Sequence, residues 1–188
     1  LVNTGAEARA IRHALQAEHI RSVYLSDRES VYASVAADDL QRWLVACAAP
    51  DDDRLLRTAL ASPLLGLTWA DLDLLNTDEA VWEGHVTQFR GYRRIWQRQG
   101  VLPVLHRLLH DFAVPGRLLA ANQERVLTDT LHLAELLQQA SSVLDGEHEL
   151  IRHLAEQRRD AGSQDDARKL RLESDADLVK VVTVHKSK

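Results

Sequence analysis

Arg171-Leu172-Glu173-Ser174-Asp175-Ala176-Asp177-Leu178-Val179-Lys180-Val181-Val182-Thr183-Val184-His185-Lys186-Ser187-Lys188 decides how the chain is read. It opens polar and then becomes a β-branched run, Val179, Val181, Val182, Thr183 and Val184, the pattern of a buried strand. One imidazole, one hydroxyl and two ammonium groups follow within four residues, His185, Lys186, Ser187 and Lys188. Open α/β sheets bind phosphate-bearing ligands at such strand ends. A strand needs a sheet, so the chain must supply a partner elsewhere. The sequence stops without a cap or turn, and it is expected to be a piece of something larger.

The partner lies at the other end. Leu1-Val2 reads as the tail of a strand, Asn3-Thr4-Gly5 as a turn, Ala6–Glu18 as a helix and Ser22–Leu25 as a second strand. Ile11, Ala14 and Leu15 form that helix's inward stripe, and a right-handed crossover makes the strands parallel. The fold therefore opens on a small parallel β-α-β unit, leaves it, and returns at 179–184. Between the two, 28–173 reads as helix after helix. The expectation is a mostly α protein in three parts: 1–27, the helical insertion 28–173, and the return strand 174–188.

Composition agrees. The 188 residues are rich in Leu and Ala, with 8 Gly and 4 Pro, which favours helix. A net charge of −5 argues against a surface wholly coated in nucleic acid, though not against a local basic groove. The lone Cys47 excludes a disulfide framework and fits a reducing cytoplasm. No apolar run is long enough to span a membrane.

Within the helical part, Val31–Ala49 is expected as one helix with Val35, Leu40, Leu44 and Val45 inward. Asp51-Asp52-Asp53 offers three carboxylates. Without partner ligands at a recognisable spacing, they read as a helix N-terminus rather than a divalent-metal site. The run Leu60-Ala61-Ser62-Pro63-Leu64-Leu65-Gly66-Leu67-Thr68 is an apolar knot between helices, and Thr68 caps the next one. Asp78–Arg98 is a long helix with Val81, Trp82, His85, Phe89, Tyr92 and Trp96 on one side and Arg90, Arg93, Arg94 and Arg98 on the other flank. Arginines beside aromatics suit a nucleic-acid backbone with side-chain stacking, and the same pattern suits a core-packed helix with a solvated basic face. His106 and His110 stand one turn apart in a helix over 101–111, but no third ligand is evident. Gly116–Ala121 reads as a linker, and a helix follows to Ser142 with the stripe Leu127, Leu131, Ala134, Leu137 and Ala140. Asp145-Gly146 breaks the chain, Glu147–Arg159 is a last helix, and 160–166 reads as a loop.

Several of these stretches carry a resemblance. Val181-Val182-Thr183-Val184-His185-Lys186-Ser187-Lys188 resembles the motif V strand of superfamily 1 DNA helicases of the UvrD/Rep class. The knot at 60–68, the phrase Gly91-Tyr92-Arg93-Arg94-Ile95-Trp96 with Gly100-Val101-Leu102-Pro103, and Glu124–Asp129 with the following Leu-His-Leu-Ala-Glu-Leu-Leu-Gln look most like the RecB-like branch. Members of that branch serve as the beta subunit of heterotrimeric exodeoxyribonuclease V. The resemblance implies that 1–27 and 174–188 belong to RecA-like domain 2A and that 28–173 is the helical insertion, domain 2B. It implies ATP-driven 3′–5′ unwinding with Mg²⁺, DNA and companion subunits as partners, and a role in recombinational double-strand-break repair. It further implies that Thr183 and His185 donate to single-strand phosphates while Lys186 and Lys188 lend charge, and that hinges lie at Ser26-Asp27-Arg28 and 160–173. Asn3 stands where the family usually has an arginine, so a contact made by that arginine is not carried over. The sequence contains no G-x-x-x-x-G-K-[ST] loop and no recognisable triad or nuclease carboxylate cluster. By itself this stretch is expected to be catalytically inert. Two other readings stand beside this one: the matching segment of an AddA-like or other UvrD-like helicase, and a helical protein-interaction domain.

Overall fold

The computed structural model describes residues 2, 5–18, 20, 22–25, 30–160 and 179–182. Two compact units result: Leu1–Glu29 with Gly162–Lys188, and Ser30–Ala161.

In the first unit, helix α1 (Gly5–Ala17) precedes strand β1 (Ser22–Leu25). Strand β2 (Val179–Val182) pairs with β1 in parallel, Ser22 opposite Val179 and Leu25 opposite Val182. Parallel neighbours need a connection outside the sheet, and here the whole second unit occupies it. Val2, Ala8 and Val181 form a small core that half-buried Leu15 joins. The inward stripe differs from expectation, because Ile11 is 42% exposed and Ala8 is the buried position. Ala8 is what fits against Val2 and Val181. The strand run is also less evenly buried than its apolar sequence suggests, with Val181 covered and Val179 open.

The second unit consists, among the described residues, of a 3₁₀ turn (Val31–Ala33) and helices α2 (Val35–Ala48), α3 (Asp53–Leu60), α4 (Trp69–Thr77), α5 (Glu79–Gln99), α6 (Val101–Asp111), α7 (Val114–Ala120), α8 (Glu124–Ser141) and α9 (Gly146–Arg159). The helix starts follow their caps. Ser34, Asp52, Thr68 and Asp78 each accept backbone N–H groups of the first turn, satisfying donors that the helix itself cannot. Thr68 and Asp71 close a reciprocal capping box, and its hydrogen bonds hold the Asp71 carboxyl below its usual range. Ser34 also explains why the helix expected from Val31 begins later. Its hydroxyl donates to Val31 O and accepts from Ala37 N, so residues 31–33 close as a 3₁₀ turn. Val35 then falls on the outside, 64% exposed, although it was expected inward.

Two further expectations are corrected. The stretch read as a linker at Gly116–Ala121 is instead the body of α7 up to Ala120 with Ala121 as its C-cap, and Pro115 sits in the first turn, where its fixed φ and missing N–H cost nothing. In α8 the inward face is Thr130, Leu133, Ala134 and Leu137, while Leu131 is open to solvent. Asp129 and His132 are buried there too. An apolar-only stripe cannot reveal a face built partly of polar residues.

In the core of this unit Leu40, Trp43 and Leu44 of α2 are fully covered, with Phe89 of α5 and Leu133 and Leu137 of α8 on helices packed against α2, and Leu105 and Leu108 of α6 buried where α6 meets α5 and α8. Cys47 is buried as well, and burial, with Glu147 adding charge repulsion, pushes its thiol well above the usual range.

The apolar knot is held by polar clamps. The Trp43 indole donates to Ser62 Oγ at 2.7 Å, and Leu64 N donates to Asp39 Oδ2 at 3.0 Å. Arg117 of α7 donates to Leu64 O at 2.5 Å and to Phe112 O at 3.3 Å. Asp39 is fully buried, and burial raises its pKa despite the Leu64 N–H and the Arg42 guanidinium beside it.

Candidate nucleic-acid interface

Helix α5 carries the arginines that the sequence marks for DNA. Its inner side is Val86, Phe89, Tyr92 and Trp96, all buried. Phe89 and Tyr92 meet edge to face at 5.1 Å. Tyr92 OH donates to Asp111 Oδ2 at 2.9 Å and accepts from Gln88 Nε2 at 2.7 Å, while Arg107 Nε donates to the same carboxylate oxygen at 2.9 Å. His85 extends the chain to Gln88 at 3.1 Å and stacks on Phe112. Burial first, and then the bond to Asp111, push the Tyr92 hydroxyl well above its usual range. Burial also works against ionising Asp111, but the bonds from Arg107 and Tyr92 outweigh it and leave the carboxyl below its usual value. This network pins α5 to α6 and fixes which flank faces outward.

The aromatic half of the nucleic-acid expectation is therefore corrected. Phe89, Tyr92 and Trp96 belong to the core and have no face free for a base. Trp82 is half-buried with the Arg57 guanidinium 4.1 Å over its ring. What remains is charge.

The four arginines are not equivalent. Arg90 is half-exposed and bonded to Asp51 at 2.6–2.7 Å. Arg93 lies 3.6 Å from the largely buried carboxylate of Glu147. Arg94 and Arg98 are exposed, and among the described residues neither is ion-paired. Positions 90, 94 and 98 recur every four residues, about 6 Å apart along the axis. The outer flank thus presents two unneutralised guanidinium groups in line with one already spoken for.

The other sequence candidates resolve as follows. Asp52 caps α3 through Arg54 N and Leu55 N, and Asp51 serves Arg90, so two of the three adjacent carboxylates have structural work. His106 and His110 are both exposed on α6. Among the described residues no three His, Cys, Asp or Glu side chains gather as for a metal ion. Thr183, His185, Lys186 and Lys188 lie outside the described residues, as do Asn3, the hinge candidate Ser26-Asp27-Arg28 and 161–173 of the other one.

One further cluster has no signature in the sequence. Asp38 accepts from Arg42, one turn away, and from Arg158 at 2.6 Å, 120 residues away, and Arg158 also donates to Gln41. These residues, with Val45, Leu55 and Thr58, line a cleft of about 200 Å³. Its guanidinium groups are matched by Asp38 and Asp39, so it reads as a tie between α2 and α9. Among the described residues no helix is long and apolar enough to cross a membrane.

No protein-family model matches the chain. Curated relatives do. It is 43% identical over its whole length to the RecBCD enzyme subunit RecB of Escherichia coli K12, and 40% identical to that of Haemophilus influenzae Rd. The RecB subunit of Mycobacterium tuberculosis H37Rv is 31% identical, again over the whole chain. The chain spans only 15–17% of the length of these relatives. From its first residue to its last, the chain resembles one segment of the RecB subunit of RecBCD enzymes.

Proposed function

We propose that this chain is a segment of a RecB-type subunit, an ATP-driven DNA helicase and exodeoxyribonuclease of the UvrD/Rep class acting in recombinational repair of double-strand breaks. Residues 1–27 and 174–188 are parts of domain 2A, and 28–173 is domain 2B. The observation that carries this reading is the 43% identity to RecB along the entire chain. The parallel pairing of β1 with β2 around a helical unit supports it, because an insertion into a RecA-like sheet requires such a return.

In this reading the segment guides DNA and regulates unwinding, and it has no catalytic activity of its own. Arg94 and Arg98, with Arg90 and Arg93 behind them, lie along backbone phosphates, which cations bind regardless of sequence. Thr183, His185, Lys186 and Lys188 serve the single strand at the end of β2. ATP and Mg²⁺ are held by parts of the intact protein outside this stretch, which lacks a phosphate-cradling loop. The partners are single-stranded DNA, duplex ends and the RecC and RecD subunits, and the setting is the cytoplasm.

The test is strand separation by the intact protein with its RecC and RecD counterparts on blunt duplex DNA. ATP-dependent unwinding with degradation of the strands is the expected result. Assembly without ATP-dependent unwinding contradicts the proposal.

A further inference from the structure

Helix α4 is built differently from its neighbours. Trp69, Ala70, Leu72, Leu74 and Leu75 surround it with apolar side chains, yet only Leu75 is buried. A surface helix ordinarily keeps one apolar stripe and turns polar residues to water. Here Trp69 stands 88% exposed and Leu74 45% exposed, whereas Trp43 and Trp96 are buried in the core. At 100° per residue, Ala70, Asp73 and Thr77 occupy the centre of the outer face, with Trp69 and Leu74 at its two edges.

The charge that the chain itself places on α4 and on the turn after it has one sign. From Thr58 to Phe89 the sequence has no lysine or arginine and five carboxylates, Asp71, Asp73, Asp78, Glu79 and Glu83. The nearest cation along the chain, Arg57, is turned onto the Trp82 ring and donates to Leu75 O and Asn76 Oδ1. Carboxylates repel phosphates, so Asp71, Asp73, Asp78, Glu79 and Glu83 match a basic partner better than a nucleic acid. An exposed tryptophan with an acidic rim complements an apolar pocket with a basic rim. Tryptophans in such pockets carry a large share of protein–protein binding energy, and rim charges steer the encounter.

We infer that the outer face of α4 docks a partner protein that presents an apolar pocket for Trp69 rimmed by lysine or arginine. This rests on the RecB reading, since the matched relatives are each a subunit of a larger enzyme, and a companion subunit is the occupant. Trp69 enters the pocket, Leu74 packs at its edge, and Asp73 and Glu79 face the basic rim.

Hydroxyl-radical footprinting of the intact protein, alone and with purified RecC and RecD counterparts, tests this directly. Trp69 is expected to oxidise readily in the isolated protein and to be protected at least about tenfold on assembly. Trp69→Ala should weaken assembly by about 30-fold or more, the loss of a typical anchoring residue. Its fold should persist, because the side chain is exposed. The pair Asp73→Asn and Glu79→Gln should flatten the salt dependence of association. If the subunits assemble while Trp69 stays equally open, the inference fails and the RecB reading stands. Protection already present in the isolated protein overturns it in favour of cover by the remainder of the chain or by a second copy, which concentration dependence separates. Protection by forked DNA alone overturns it as well. Failure to assemble with either subunit overturns both the inference and the function on which it rests.

Discussion

Gly66→Ala tests whether the apolar knot is held by the half-buried Arg117 guanidinium rather than by apolar packing alone. Gly66 has φ +69°, and a Cβ built there would lie 1.9 Å from Arg117 Nη1, 2.3 Å from Cζ and 2.9 Å from Nη2. No contact so short can persist, so the end of the Arg117 side chain must swing away from Gly66, and the Nη2 bond to Leu64 O goes with it. Two costs follow. The left-handed backbone costs alanine about 1 kcal/mol, and losing a charge-assisted hydrogen bond at a half-buried site costs about 2 kcal/mol more. Together these make about 3 kcal/mol, a fall of about 6–12 °C in melting temperature for a chain of this size. Urea unfolding of Gly66→Ala, Arg117→Met and the double variant separates the two costs. Once Arg117 is gone, Gly66→Ala should cost only about 1 kcal/mol, a coupling of about 2 kcal/mol. Equal costs in both backgrounds would refute the clamp.

Other consequences are as direct. Ser62→Ala leaves the Trp43 indole N–H without its partner in the core and should destabilise by about 1–3 kcal/mol in the same urea assay. Asp111 has its pKa lowered in the folded state, so the stability it contributes is complete above the unfolded value of about 3.9 and is lost as pH falls through the lower folded value. Acid unfolding of Asp111→Asn should accordingly lack that component below about pH 4, with a flatter curve than the parent. Cys47, fully buried with a raised thiol pKa, should react with a thiol reagent only as fast as the unit opens; fast labelling under native conditions would contradict its burial.

Much of the helical order was legible because it is written in local chemistry. Thr68, Asp52 and Asp78 announce helix starts through side chains that accept first-turn N–H groups, and α6 matches its expected bounds, 101–111. The β-branched run at 179–184 signalled a strand, and its described part, Val179–Val182, is one. What failed was face rather than existence. Val35 turned outward because Ser34 tightened the preceding turn, and Leu131 turned outward because Asp129, Thr130 and His132 share the buried side of α8. Gly116 suggested a break, but Pro115 and the apolar spacing of Val114 and Leu118 carried the helix through it. For the candidate site, charge was visible and its neutralisation was not. Asp51 and Glu147 lie far along the chain from Arg90 and Arg93, and no pattern in sequence reports such pairs. The aromatics beside those arginines served the core for the same reason: a helix shows its residues in sequence without showing what packs on it.

The central claim is that the outer flank of α5 lies along DNA phosphates, and salt dependence measures it most directly. Affinity of the intact protein for a forked duplex, titrated from low to moderate salt, should fall linearly in log–log form. Arg94→Glu with Arg98→Glu should reduce that slope by about 2, near 0.9 per phosphate contact, while changing stability by under about 0.5 kcal/mol. Identical slopes and affinities for the variant and the parent would contradict the claim.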